Sequence, residues 1–171
     1  SEPCFPVPLR AMRADIRFHT LETGSEYDIA GMKVACIRQN HPGDSYGYRF
    51  EKDGRTVVYS TDSEHKDGGR EEYERFLSFF SNADLLIFDA QYRFLDAVDT
   101  KENWGHSSNL LGVEMAAAAG VRRLCLFHNE HTFDDDALDR FLEDTRAYLK
   151  ILDGSSSLKI DLAYDGLDIE L

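Results

Sequence analysis

The sequence predicts a layered α/β domain, because hairpin signals fill its first half and helices alternate with apolar strands in its second half. The Asp53-Gly54 pair is a strong signal for a two-residue turn between two strands. Strands are expected at 16–20, 32–37, 46–51, 56–60, 84–90, 123–127, 159–163 and 167–171. Helices are expected at 70–81, after a cap at Ser107, and from Thr132 or Asp134 to about residue 152.

Length and composition indicate one globular unit. The 171 residues are 42% apolar and contain no apolar run long enough to span a membrane. We expect residues 1–171 to form a single domain in a reducing, cytoplasmic compartment, with Cys36 and Cys125 as small core residues. The net charge of −13 disfavours attraction to phosphate backbones, so no nucleic-acid partner is expected. The lack of a long apolar run means that no membrane partner is expected either.

Three side chains that can bind metal follow predicted strands. His41 follows strand 32–37, Asp62 follows strand 56–60, and His128 follows strand 123–127. Imidazole and carboxylate are ligands for zinc, iron or manganese, and loops after strands hold such groups on a rigid scaffold. Each residue also has a plain interpretation: His41 as a turn residue, Asp62 as a loop cap, and His128 as a hydrogen-bonded histidine.

Two further residues are candidates for a role in catalysis. His106 precedes a predicted helix and could act as a general acid or stabilise an oxyanion, or it could simply join the helix cap. Asp89 ends strand 84–90 and could orient a histidine or cap the strand. The neighbouring Glu64, His65 and His131 could line a pocket, although exposed polar loops are the commoner outcome.

Five ordered motifs, spread over residues 30–140, carry a family resemblance. They are NHPGDSYGYRF, VVYSTDSEH, ADLLIFDAQY, NWGHSS and GVRRLCLFHNEH. In this order they resemble the second half of the metallo-β-lactamase superfamily, in the branch of the tRNA 3′-processing ribonucleases and small metal-dependent phosphodiesterases. The resemblance implies a four-layer αβ/βα sandwich of which this chain is the second half, with two divalent metal ions, zinc first and manganese or iron as alternatives.

The resemblance also implies a role for each candidate residue. His41 corresponds to a ligand of the first metal, Asp62 to the carboxylate that bridges both metals and takes part in catalysis, and His128 to a ligand of the second metal. His106 corresponds to the histidine that assists at the scissile phosphate. The family motif H-x-H-x-D-H does not occur in these residues. We therefore expect a partial domain that lacks its N-terminal metal-binding half and that associates with this half or with another copy.

The resemblance favours a hydrolase, specifically a phosphodiesterase for a small cyclic or linear phosphate ester. The ribonucleases of the family carry a long substrate-binding arm before the bridging aspartate, whereas here a tight hairpin joins Arg49 to Asp62. Together with the acidic charge, this difference argues against tRNA as the substrate. Two alternatives remain open, a non-catalytic sensor or interaction module and a di-iron oxygen or redox sensor on the same fold.

Overall fold

A computed structural model describes residues 11–65, 69–93 and 103–171, which contain a seven-stranded sheet and three helices. The strands are β1 (Glu26–Ile29), β2 (Met32–Arg38), β3 (Tyr46–Lys52), β4 (Arg55–Ser60), β5 (Leu85–Asp89), β6 (Arg123–Phe127) and β7 (Lys159–Leu162). The helices are α1 (Arg70–Phe80), α2 (Asn109–Ala118) and α3 (Asp135–Leu152). The α/β class predicted from the sequence is confirmed.

The strands lie in the sheet in the order of the sequence, and their directions bring the candidate residues to one edge. β1 to β4 pair antiparallel, whereas β4 to β7 pair parallel. β2, β4, β5 and β6 consequently point in the same direction, and their carboxyl ends share one edge of the sheet. The residues that follow these four strands are His41, Asp62, the Asp89 region and His128.

The predicted Asp53-Gly54 turn is present. Lys52 pairs with Arg55, and both turn residues have positive φ, 51° at Asp53 and 75° at Gly54, as a two-residue hairpin of this type requires. This turn fixes the register of β3 against β4. It therefore also fixes where the end of β4, and Asp62 just beyond it, lies relative to β3.

The three helices pack on one face of the sheet and form the core with it. Phe76 and Phe80 of α1, Met115 of α2 and Phe141 of α3 are buried in one apolar cluster with the inward side chains of β4 to β7. Burying an aromatic or aliphatic side chain of this size contributes about 1.5–3 kcal/mol each. The parallel strands therefore form a rigid base under the edge that carries the candidate residues.

The opposite face of the sheet is less covered. Tyr59 and Phe127 project from it, each 36% exposed, with ring centroids 6.1 Å apart. This face of the sheet therefore presents aromatic rings to solvent. Cys36 and Cys125 are buried free thiols, as predicted, whereas Cys4 lies outside the described residues.

Two predicted strands were wrong, and one strand was not predicted. Residues 16–20 and 167–171 are not strands, because no strand in the described part of the chain pairs with them, and residues 16–20 are exposed throughout. β1 was missed, although a turn at Ala30 and Gly31, both with positive φ, folds it back onto β2. Within the described residues, no helix combines the length and the apolar character needed to cross a membrane.

Candidate metal centre

Asp62 and His128 face each other across adjacent ends of the sheet. His128 Nε2 lies 3.6 Å from Asp62 Oδ1, and both residues adopt left-handed backbone conformations, with φ of 56° and 60°. This conformation costs a residue with a Cβ about 1–3 kcal/mol, although Asp and His adopt it more readily than most residues. His128 Nδ1 is buried and has no hydrogen-bond partner. The unpartnered, buried Nδ1 of His128 and the approach of its Nε2 to the Asp62 carboxylate are features that fit a cation-binding site.

His41 is held in place by close backbone contacts. Its Nδ1 accepts a hydrogen bond from the backbone N–H of Gly43, at 3.1 Å. Gly105, with φ of 89°, packs so closely that a Cβ there would lie 2.5 Å from His41 Cδ2. Only glycine combines this conformation with this approach. The Nδ1 contact places the proton of a neutral His41 ring on Nε2, so binding a cation would displace that proton or the hydrogen bond.

His106 and Asp89 form a hydrogen-bonded pair in the centre of the group. His106 Nδ1 lies 2.7 Å from Asp89 Oδ2, and Asp89 is 0% exposed. A carboxylate can only accept here, so Nδ1 carries a proton and Nε2 is the nitrogen that gains or loses the second proton. Burial lowers the pKa of His106, but the hydrogen bond and charge of Asp89, with Asp62 and Glu64 further away, raise it more. The net shift is upward, which favours a proton donor.

Asp89 also orders the surrounding loops. Its oxygens accept backbone N–H groups from Ser63 at 3.2 Å, Gln91 at 3.3 Å and Ser107 at 3.3 Å. These contacts join the loop of Asp62 to the loop of His106. The sequence interpretation of Asp89 as a residue that orients a histidine agrees with this geometry, although the histidine it contacts is His106 and not one of the three predicted ligands.

The side chains fit a divalent cation by type and spacing. Ligand atoms of His41, Asp62 and His106 lie within 4.8 Å of one another, and so do those of Asp89, His106 and His128. Imidazole and carboxylate groups at such spacing suit zinc and related ions. Neither group contains all three predicted ligands, because His106 stands between them, 5.4 Å from the His41 ring and 4.6 Å from the His128 ring, centroid to centroid.

Two residues on the loop after Asp62 have roles that the sequence did not reveal. The Glu64 carboxylate accepts the backbone N–H groups of Asn103 and Gly105, at 2.9 and 3.2 Å. The ring of His65 is buried against Phe88 rather than lining a pocket. His131, by contrast, is an exposed side chain paired with Glu130. The residue types alone gave no signal that Glu64 would bind a loop, that His65 would be buried, or that His131 would be exposed.

The buried side-chain amide of Gln39 joins the ends of two strands. The Gln39 side chain donates to the Ser45 hydroxyl at 3.0 Å and to the Thr61 carbonyl, and it accepts from the Ser60 hydroxyl. All of its polar atoms are thus used in joining the ends of β2 and β4. The sequence analysis did not identify Gln39, because a glutamine after a strand has no distinctive pattern.

Comparison with known proteins supports the superfamily resemblance. A family model described as a beta-lactamase superfamily domain matches residues 4–129. Ribonuclease Z of Picrophilus torridus is 36% identical over 113 residues, which cover 60% of this chain and 33% of the relative. Ribonuclease Z of Brevibacillus brevis is 30% identical over 109 residues, which cover 64% of this chain and 32% of the relative.

The solved structures agree on the fold. The metallo-beta-lactamase fold protein YhfI from Bacillus subtilis superimposes with a TM-score of 0.67 at 24% identity, over 87% of this chain and 54% of that chain. The matched part of the chain thus spans about a third of these two ribonuclease relatives and about half of this structure. The chain therefore corresponds to a part of the fold seen in that structure.

The expectation that nucleic acid is excluded was wrong. The relatives are named as ribonucleases, and solved neighbours include a human tRNase Z and a long form RNase Z from yeast. The error arose because net charge was treated as a property of the site. The charge of −13 is a sum over the whole chain, whereas a bound cation dominates the field at the site itself. The family match over residues 4–129, together with the shared fold, shows that the chain belongs to the metallo-β-lactamase superfamily.

Proposed function

We propose that the protein is a metal-dependent phosphodiesterase. The observation that carries this proposal is the pairing of His106 with the fully buried Asp89, 2.7 Å apart, in the middle of a cluster of metal-binding side chains. A proton donor oriented by a carboxylate beside a cation site suits the cleavage of a phosphate ester. The names of the ribonuclease relatives point to the same reaction class.

We propose His41, Asp62 and His128 as the metal ligands, and Asp62 as the residue that two ions would share. Its carboxylate oxygen is 3.6 Å from His128 Nε2 on one side, and it is grouped with His41 on the other. Zinc is the first choice, with manganese or iron as alternatives, because the donors are imidazoles and a carboxylate. The remaining ligands would come from an N-terminal half that carries the H-x-H-x-D-H motif.

The side chains of this chain have distinct tasks in the proposed reaction. Bound divalent ions would supply Lewis-acid stabilisation of negative charge and the activation of water. His106 would hold a proton on Nε2 and give it to the leaving oxygen, while Asp89 accepts from Nδ1 and fixes the ring orientation. The raised pKa of His106 keeps this proton in place at higher pH. Ser63 and Ser107 keep Asp89 in position through their backbone N–H groups.

A small cyclic or linear phosphate ester is the proposed substrate. The short β3–β4 hairpin supports this choice, because Asp53 and Gly54 alone form the turn between Lys52 and Arg55. The chain therefore has no room for a substrate-binding arm at this position. A second candidate is the phosphodiester of an RNA, which is favoured by the ribonuclease relatives at 30% and 36% identity.

The test is an assay of the intact protein, loaded with Zn²⁺ or Mn²⁺, on bis(p-nitrophenyl) phosphate and on a 3′-extended tRNA. Wild type is expected to hydrolyse at least one of them, and His106→Ala to lower kcat by about 10²- to 10⁴-fold, the usual contribution of general acid catalysis. His131→Ala is the matched control, since His131 is an exposed histidine near the same edge. Failure to cleave either diester, or an unchanged rate in His106→Ala, would contradict the proposal.

A further inference from the structure

Trp104 occupies an unusual place beside the candidate metal centre. It is the only tryptophan in the sequence, and it is 58% exposed. Isolated exposed apolar residues are common on protein surfaces, so exposure alone carries no meaning. The position of Trp104 and the support of its backbone distinguish it from such residues.

The backbone on both sides of Trp104 is fixed. Glu64 accepts the N–H of Asn103 at 2.9 Å and that of Gly105 at 3.2 Å, so one carboxylate holds both neighbours. Gly105 lies so close to His41 that a Cβ would meet Cδ2 at 2.5 Å. The loop that carries Trp104 is therefore held by hydrogen bonds to Glu64 and by close packing against His41, a proposed metal ligand. Because the backbone around it is already held, Trp104 would lose little backbone freedom on binding a ligand.

Trp104 also lies next to the proposed reaction centre. Two residues of extended chain span at most about 7 Å, so the Cα of Trp104 must lie within that distance of the Cα of His106. The ring of His106 is stacked on His128 at 4.6 Å. The exposed indole is therefore carried on the same short loop as His106, the proposed proton donor.

We propose that Trp104 is a stacking platform for a nucleobase attached to the phosphodiester that the centre cleaves. Indole rings stack on bases of any sequence, because every base has a π-face. The carboxylates of Glu64 and Asp62 flank the loop, so recognition through a neutral base fits this site better than recognition through additional phosphates. The inference rests on the proposed phosphodiesterase function and specifies its substrate as a nucleotide ester.

Two substrates with the same leaving group test the inference. Thymidine 5′-(p-nitrophenyl phosphate) carries a base, whereas methyl p-nitrophenyl phosphate does not. With the intact, metal-loaded protein, Trp104→Ala is expected to lower kcat/KM for the thymidine ester by about 5- to 150-fold, the usual effect of losing one stacked base. The rate with the methyl ester should stay unchanged, and Trp104→Phe should retain most of the activity. Tyr164→Ala removes an aromatic ring that is 69% exposed at a different site and is the matched control.

The outcomes separate this inference from the proposed function. If wild type cleaves neither ester nor RNA, the phosphodiesterase function itself fails. If wild type cleaves the thymidine ester but Trp104→Ala lowers both rates equally, or neither, the stacking role is overturned. An equal loss that is accompanied by a lower melting temperature would show that Trp104 supports the fold instead.

The stacked base can belong either to a polynucleotide or to a small nucleotide, and an assay with a short single-stranded RNA distinguishes the two. If Trp104→Ala slows cleavage of both the RNA and the thymidine ester, the stacked base belongs to a polynucleotide. If it slows only the thymidine ester, the stacked base belongs to a small nucleotide. Both results support stacking. Binding of thymidine 5′-monophosphate, followed by the change in Trp104 fluorescence relative to Trp104→Phe, gives a readout that does not depend on catalysis.

Discussion

Replacing His65 by phenylalanine should make the protein more resistant to acid. The His65 ring is stacked on Phe88 at 5.2 Å and meets Phe76 edge-on at 4.4 Å, and neither of its ring nitrogens has a hydrogen-bond partner. Burial, together with the charge of Arg75, lowers the pKa of His65 to about 3. A phenylalanine ring would occupy the same aromatic pocket without carrying polar atoms into it.

The size of the effect follows from proton linkage. In the unfolded chain His65 takes up a proton below about pH 6.5, whereas in the folded protein it stays neutral until about pH 3. The unfolded state thus binds more protons in this interval, and stability falls as the pH decreases through it. The loss is up to about 1.4 kcal/mol per pH unit, or about 2.6 kcal/mol between pH 7.5 and pH 4.5. His65→Phe removes this loss.

Urea unfolding of the intact protein at pH 7.5 and pH 4.5, followed by circular dichroism, measures the difference. A chelator is present throughout, so that metal release does not contribute. The stability lost between the two pH values should be smaller in His65→Phe than in wild type by about 2–3 kcal/mol. His19→Phe, the same change at an exposed position, is the control. An equal loss in His65→Phe and wild type would refute the reasoning.

Two further variants test how the centre is held. Asp89→Asn removes the charge that raises the pKa of His106, so the alkaline limb of the pH–rate profile should move to lower pH and kcat should fall by about 10²- to 10⁴-fold. Gly105→Ala places a Cβ 2.5 Å from His41 Cδ2, at a φ of 89°. It should reduce metal affinity, measured by competition with a chromogenic chelator, and lower stability by more than the roughly 1–3 kcal/mol of backbone strain alone.

Each of these variants has a matched control. Asp84→Asn changes a buried aspartate just before β5, at the opposite end of the sheet, and should affect stability without shifting the pH–rate profile. Gly54→Ala imposes a similar positive φ, 75°, where nothing lies within 4 Å, so it should leave metal affinity intact. A wild-type pH profile in Asp89→Asn, or equal effects of the two glycine variants, would contradict the account of the site.

Elements with a local signal were predictable from the sequence. The Asp53-Gly54 turn, the buried strand of Arg123–Phe127 and the start of α3 at the Asp134 cap follow from turn chemistry, apolar runs and capping. The prediction of a strand at 16–20 failed because a strand-like pattern also needs a neighbouring strand to pair with, and the tertiary fold decides which strands are neighbours.

The candidate site was predictable only in part. The placement of His41, Asp62 and His128 after strands could be read from the chain, because parallel strand ends share one edge. The central position of His106, its contact with Asp89 and the Glu64 contacts to Asn103 and Gly105 depend on how loops far apart in sequence meet. No spacing in the sequence encodes these contacts. The exclusion of nucleic acid failed for a related reason, since a summed charge does not describe a local site.

The most direct test of the central claim is the metal content of the intact protein and of its Asp62→Ala variant, measured by inductively coupled plasma mass spectrometry. Wild type should hold about two divalent ions per chain, and Asp62→Ala should hold fewer and lose diester hydrolysis. Asp44→Ala, at a carboxylate whose side chain is 77% exposed, should match wild type. Full metal content and full activity in Asp62→Ala would contradict the assignment of Asp62 as the bridging ligand.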